Sequence, residues 1–261
     1  MSEALQGKVA LVTGSGGGGT GRAAARRFAR EGAAVVVNDI NDAGGHETVR
    51  LIESAGGRAA FFQADAGNES EIRAMIAFAE STFAGLDILV TNASTPDGQG
   101  QLTGWFEELR VDLIGPMHAT LVAIEAMRKR GGGAIVNIGS TSAITHGFKH
   151  SSWPAYDVAK MGIIRLTTTL GWLNEKEKIR VNCLVPAWIA SPAPKAYWDS
   201  LTPEQRKERG VPATILSPDE VADAIFRLAS DETLFGRVMV WWNGRPPHLI
   251  PVGDRGYQFF E

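Results

Sequence analysis

The sequence has one cysteine, Cys183, in 261 residues, so no disulfide can form within the chain. So thiol-poor a sequence fits a reducing compartment, and the expected location is the cytoplasm. Cys183 lies in an apolar run, which points to a buried structural thiol rather than a nucleophile. No apolar stretch approaches the ~20 residues of a membrane span. Residues 1–8 lack the charged-then-apolar order of a signal peptide. Charge of one sign is also scarce: the net formal charge is -3, and no basic stretch exceeds the short Met127-Arg-Lys-Arg130. That balance argues against nucleic acid as a partner. No His/Cys/Asp spacing suggests a metal site. Repeats, low-complexity linkers and composition shifts are missing as well. The expectation is one domain over residues 1–261, with 245–261 as an extended C-terminal tail.

What is present is a regular alternation. Short β-branched runs at 9–13, 33–38, 59–63, 86–91, 134–138, 179–184 and 237–241 are separated by helical patterns. Strands that are apolar on both faces and joined through helices belong to a parallel sheet covered on each side. Right-handed crossovers then give an α/β fold, a doubly wound parallel sheet of about seven strands in a three-layer αβα sandwich of Rossmann type.

Between the first strand and first helix runs a glycine-rich turn, Gly14, Ser15, three further glycines, Gly19, Thr20 and Gly21. Glycine there permits positive φ and lets the main chain approach a pyrophosphate, which the helix N-terminus behind it favours. Alone, such a run is weak evidence, and a flexible glycine loop is the plain alternative. Its position after a strand and before a helix strengthens it. The second strand ends at Asp39, followed by Ile40. An acid there accepts hydrogen bonds from adenosine ribose hydroxyls and repels a 2′-phosphate, which favours NAD over NADP. A solvated strand-end Asp is the bland alternative.

Tyr156 and Lys160 open another helical pattern, which runs through Leu173. Their i, i+4 spacing puts both side chains on one face, one turn apart. A phenol with a reference pKa near 10 is a poor base at neutral pH. An ammonium ~4 Å away at an effective dielectric of ~20 is worth about 4 kcal/mol, or roughly three pKa units as an upper bound. The pair therefore suits acid/base chemistry on a hydroxyl.

Taken in order, the segments Thr13 to Gly21, Asp39, Asp65, Asn92-Ala93, Ser140, Tyr156 with Lys160, and Pro186 to Ser191 resemble the short-chain dehydrogenase/reductase family across nearly the whole chain. The resemblance implies that Ser140 hydrogen-bonds the substrate oxygen and that Tyr156 exchanges the proton. It implies that Lys160 holds the nicotinamide ribose and lowers the Tyr156 pKa. It places Asp65 and Ala66 at the adenine and Asn92, Ala93 and Ser94 along the adenosine side. Pro186, Ala187, Ile189 and Ser191 would hold the nicotinamide amide. The implied activity is reversible hydride transfer between NAD(H) and a secondary alcohol or ketone, in a homotetramer or a dimer. Two rivals stand beside it: a nucleotide-sensing protein with little turnover, and a dehalogenase on the same scaffold. Lys160 and Gly14 argue against the second, which resembles this chain in its Ser and Tyr but has Arg at the lysine position and lacks the glycine turn.

The chain departs from the family pattern at several places. Four residues rather than three separate Gly14 from Gly19, so the register of individual phosphate contacts is open. Ser94 stands where the family has Gly, Ala187 also replaces a glycine, and Ser191 stands where Thr is commoner. Asp112 replaces the usual Asn, which in the family holds a water on the proton relay, largely through its main-chain carbonyl. Two readings are open: Asp112 keeps the role through its main chain, or, buried and ionised near Lys160, it weakens the lysine's effect on Tyr156. The first predicts that Asp112→Asn leaves activity within about tenfold. From Ser140 to Tyr156 the chain runs three residues long, which makes Thr141 and Ser142 rival hydroxyls.

The remaining expectations concern aromatic residues and the tail. Trp153, Trp188, Tyr197 and Trp198 fall where the resemblance places the substrate cleft and lid, suiting a cyclic or aromatic alcohol. Trp241 and Trp242 fit core or subunit contact, and His146 and His150 an exposed loop. Prolines after Gly244 are expected to preclude a regular element. Phe259 and Phe260 are expected to anchor the tail across a subunit interface.

Overall fold

In a computed structural model, the residues described are 4–95, 103–145 and 153–253. Seven parallel strands run as β1 (Val9–Val12), β2 (Ala34–Asp39), β3 (Arg58–Gln63), β4 (Ile88–Thr91), β5 (Gly133–Ile138), β6 (Ile179–Pro186) and β7 (Val238–Trp241). A two-residue antiparallel strand, β8 (His248–Leu249), completes an eight-stranded sheet in the order β3-β2-β1-β4-β5-β6-β7-β8. The helices are α1 (Thr20–Arg30), α2 (Asp42–Ser54), α3 (Glu69–Phe83), α4 (Trp105–Leu109) and α5 (Gly115–Lys129). After these come α6 (Pro154–Thr169), α7 (Leu173–Glu177), α8 (Pro192–Asp199), α9 (Pro203–Glu208) and α10 (Pro218–Ser230). A π-helical turn, Arg110–Ile114, joins α4 to α5. No helix among the described residues is long and apolar enough to cross a membrane.

The doubly wound reading of the strand pattern holds, because each central strand buries both faces. Ala10 and Val12 of β1 pack with Ala24, Phe28 and Ile225 of α1 and α10, while Val9 and Leu11 face Ile72, Met75 and Ile76 of α3. Such positions admit no polar side chain cheaply; truncating a fully buried leucine such as Leu11 costs about 2–5 kcal/mol. Strand order reverses between β1 and β4, and the crevice outside their carboxyl ends is where ligands bind in such sheets.

Two expectations of secondary structure are corrected. The helix beginning near Tyr156 ends at Thr169 rather than running through Leu173. The chain turns at Gly171, whose backbone packs on Gly236: a methyl group on Gly171 would lie 3.3 Å from the Gly236 Cα. The prolines after Gly244 do not preclude regular structure. Gly244 adopts φ +72, the chain reverses, and His248 and Leu249 pair with Val240 and Met239. Pro246, Pro247 and Pro251 flank the paired residues, at the sheet margin where proline is tolerated.

Candidate active site

The turn after β1 is fixed by close main-chain packing. Gly14 adopts φ +64. A methyl group on Gly21 would lie 2.2 Å from the Gly14 carbonyl oxygen. Asn92, just beyond β4, donates its side-chain amide to the carbonyls of Thr13 and Gly14, each at 3.0 Å. Thr13 Oγ1 accepts the main-chain N–H groups of Asn92 and Ala93, also at 3.0 Å. The two strand ends flanking the switch point are thereby tied. Ser15 is buried beneath the turn, its hydroxyl donating to Val12 O at 2.8 Å. Helix α1 starts at Thr20 with Gly19 as a cap that has no side chain to satisfy its N–H groups. Those groups and the bare glycine main chain fit a pyrophosphate.

Asp39 ends β2 beside this turn. Its Oδ2 accepts from Gly16 N–H at 2.8 Å and its Oδ1 from Asn41 N–H at 2.9 Å. Gly16 must be glycine here, since a methyl group would lie 2.8 Å from the Asp39 Cβ. The next residue, Ile40, is exposed. Arg22 of α1 clamps the turn from behind, donating to Gly16 O at 2.6 Å, Gly44 O at 3.2 Å and Thr48 Oγ1 at 2.9 Å. Asp65, after β3, pairs with Arg110 at 2.8 Å and accepts from Gly67 N–H at 2.8 Å. The adjacent Ala66 carbonyl lies where a methyl group on Gly115 would come within 2.1 Å.

Lys160 and Tyr156 lie on one face of α6, with the Lys160 Nζ 5.3 Å from the centre of the Tyr156 ring. Asn137 holds this helix against the sheet: its amide donates to Thr167 Oγ1 at 3.0 Å and its carbonyl accepts from Thr91 Oγ1 at 2.8 Å. Ser140, one residue beyond the Gly139 that follows β5, is a hydrogen-bond partner of Tyr156. Its Oγ is also 2.8 Å from Ser142 Oγ, so Ser142 lies beside the expected hydroxyl as a second one. Thr141 is buried.

Asp112, in the π-helical turn, is fully buried and pairs with Lys160 at 2.9 Å. Its Oδ1 also accepts from Ser94 Oγ at 2.6 Å, and its Oδ2 from Thr95 N–H at 3.0 Å and Thr95 Oγ1 at 2.8 Å. Burial alone would raise the Asp112 carboxyl, but Lys160, Ser94 and Thr95 outweigh it and hold it below the ordinary aspartate range. Burial alone would depress Lys160; the Asp112 carboxylate and the Tyr156 phenol reverse this and hold it above the ordinary lysine value. Burial pushes the Tyr156 phenol up, Lys160 pulls it down, Asp112 adds to the rise, and the net direction is up. Lys160 thus acts in the expected direction, but desolvation and Asp112 together exceed it. Burial pushes the Cys183 thiol up to about 12, in keeping with a structural role.

The opposite wall follows β6. Pro186 pairs with Trp241 across β6 and β7, and Ala187 N–H donates to Trp241 O at 2.9 Å. Ile189 bridges Leu216, and Ser191 caps α8 against the glycine turn: a methyl group on Gly19 would lie 2.7 Å from Ser191 Oγ. Tyr197 stacks on Trp188 with ring centres 6.2 Å apart. Trp198 instead packs within its own segment, under Arg206 at 3.3 Å and donating to Pro212 O at 2.9 Å. Trp153 sits at the N-cap of α6, just before Pro154, and is exposed. Trp241 and Trp242 pack against the core clusters on opposite faces of the sheet. His146, His150, Phe259 and Phe260 lie outside the described residues.

Several contributors carried no sequence signal of their own. Arg22, Thr48, Thr95 and Thr167 act through hydrogen bonds whose partners lie far off in the chain: 26 residues between Arg22 and Thr48, 17 between Thr95 and Asp112, and 30 between Thr167 and Asn137. Glu108 is buried on α4 and accepts the Tyr156 main-chain N–H; burial, with Asp112 and Asp157 nearby, pushes it above the ordinary glutamate range. Among the described residues, no group of three or more His, Cys, Asp and Glu side chains could hold a metal ion.

Comparison with known proteins follows the same arrangement. The chain is 31% identical over 240 residues to cis-4-hydroxycyclohexanecarboxylate dehydrogenase of Sinomonas cyclohexanicum, covering 90% of this chain and 94% of that one. It is 34% identical over 245 residues to 3beta-hydroxysteroid dehydrogenase 1 of Eggerthella lenta, covering 90% and 91%. The solved structure of a 7alpha-hydroxysteroid dehydrogenase complexed with NADH and 7-oxo glycochenodeoxycholic acid superposes with a TM-score of 0.80 at 28% identity, covering 92% and 94%. The profile of the short chain dehydrogenase family matches residues 8–201. The chain belongs to the short-chain dehydrogenase family.

Proposed function

We propose that this protein is an NAD-dependent oxidoreductase that interconverts a cyclic or aromatic secondary alcohol and its ketone. The observation that carries the reading is Tyr156 with its ring beside Lys160 and its hydroxyl beside Ser140, in a chain that also carries a glycine turn whose main chain fits a pyrophosphate. Gly14, Ser15, Gly19, Thr20 and Gly21 would cradle the phosphates, Asp39 and Ile40 the adenosine ribose, and Asp65 and Ala66 the adenine. Asn92, Ala93 and Ser94 would line the adenosine side, and Pro186, Ala187, Ile189 and Ser191 the nicotinamide amide. A bound nicotinamide supplies the hydride acceptor. Ser140 orients the substrate oxygen, Tyr156 takes the hydroxyl proton, and Lys160 orders the ribose.

Preference for NAD rests on Asp39, whose negative charge disfavours a 2′-phosphate. A cyclic substrate is supported by the stacked Trp188 and Tyr197 and by two relatives whose names specify cyclohexane and steroid alcohols. We further propose one catalytic domain, a homotetramer or dimer, and a cytoplasmic setting consistent with the buried, unpaired Cys183. Assembly is supported by apolar side chains exposed along α4, α5 and α6, among them Phe106, Leu121 and Val158.

The test is a panel of cyclic and aromatic secondary alcohols with NAD or NADP, following reduced-nicotinamide absorbance, with Tyr156→Phe as control. Turnover with NAD that is lost in the variant is expected. NADH binding without turnover on any alcohol or ketone would favour the nucleotide sensor instead.

A further inference from the structure

The Lys160 ammonium has a carboxylate 2.9 Å away, and both groups are shut off from water, with 4% and 0% of their side chains exposed. Opposite charges so placed interact strongly, and the field that Lys160 exerts on a third group is reduced by the charge beside it. The carboxylate is itself held in the ionised form by three donors, Ser94 Oγ, Thr95 N–H and Thr95 Oγ1. Ser94 and Asp112 are separate departures from the family pattern in sequence, yet they share a hydrogen bond. The arrangement is therefore built around a charge at position 112, not merely tolerant of one.

Resting on the dehydrogenase reading, we propose that Asp112 is a positioning residue that locks Lys160 in its protonated form and cancels much of its pull on the Tyr156 proton. The base thereby becomes competent for alcohol oxidation only on the alkaline side. Other groups facing the Tyr156–Lys160 pair are Asp157 on α6, Glu108 on α4, Cys183 on β6 and Ser140 after β5. Cys183 is held neutral by burial, and burial with its acidic neighbours pushes Glu108 towards the neutral form. Asp157 acts on Tyr156 in the same sense as Asp112 but to a lesser degree. Asp112 is thus the principal anion opposing Lys160.

Removing that charge lets the first proton leave the Tyr156–Lys160 pair more readily, whichever of the two gives it up. The test is a direct titration of tyrosinate absorbance in the nucleotide-free protein, wild type minus Tyr156→Phe, repeated on the Asp112→Asn background. A fall in the Tyr156 midpoint of about one pH unit or more, a tenfold change in the equilibrium, is expected. The acidic limb of kcat/KM for alcohol oxidation should move down with it. Asp112→Glu, which keeps the charge, should stay near the wild-type midpoint. Should Asp112→Asn fail to fold, Asp112→Ser makes the same charge change and leaves a hydroxyl to accept from Lys160. A midpoint unchanged or raised in the neutral variant overturns the proposal. Because the titration needs neither nucleotide nor substrate, failure of the dehydrogenase reading leaves it intact: a lowered midpoint in a protein that turns over no alcohol refutes that reading alone.

Discussion

Ser94 donates its hydroxyl to Asp112 across 2.6 Å, so two residues eighteen positions apart form one unit behind the Lys160 ammonium. The unit joins the loop after β4, the π-helical turn and α6. It supplies the carboxylate that opposes Lys160 at Tyr156.

Tyr156→Phe should lower kcat for alcohol oxidation by about a hundred- to ten-thousandfold, the usual contribution of a positioned acid/base. NADH affinity, measured by fluorescence titration, should change little, because the phenyl ring still fills the same space.

Asp39→Ala should weaken NAD binding by about ten- to a hundredfold, the worth of a hydrogen bond to a charged group. NADPH should lose less or gain, since the repelling carboxylate is gone. Paired titrations with NADH and NADPH check this, and an equal loss for both would assign Asp39 only to holding Gly16.

Gly21→Ala places a methyl group 2.2 Å from the Gly14 carbonyl oxygen and 2.6 Å from the Asn92 amide nitrogen. Overpacking of this kind costs about 1–3 kcal/mol. The melting temperature should fall, and nucleotide binding, followed by calorimetry, should fall further than stability alone explains.

Asn137→Ala strips Thr91 Oγ1 of its acceptor and Thr167 Oγ1 of a donor, both buried. The cost is about 1–3 kcal/mol, which for a chain of this size is roughly 2–4 °C in Tm per kcal/mol. Thermal melts measure it, and a rise in KM would report the loosened seat of α6.

Asp112 is held below the ordinary aspartate value in the folded protein. Its carboxylate therefore stabilises the fold above about pH 4, the unfolded value, and that contribution is lost as pH falls through the lower folded value. Urea unfolding from neutral to acid pH should show wild type and Asp112→Asn converging at the acid end.

The fold was legible because its strands announce themselves locally. Val9 to Val12 and Ala34 to Val37 are apolar at every position, which only a doubly covered strand allows. The Tyr156 and Lys160 pair was legible for a similar reason, since helical spacing alone puts both on one face. The end of α6 was not, because Gly171 takes its meaning from Gly236, sixty-five residues later in the chain. Neither was the balance at Tyr156. Spacing shows that Lys160 is near, but whether Asp112 reaches Lys160 depends on how the π-helical turn is seated against α6, a through-space fact.

The small strand β8 has a consequence for solubility. Parallel sheets end in a row of main-chain donors and acceptors that a second polypeptide can extend. Here, among the described residues, β7 is covered by the short run from His248 to Ile250, set between prolines that cannot donate in turn. A chain arriving at that side meets a poor template, so the cover should suppress strand-to-strand aggregation out of proportion to the two residue pairs it forms.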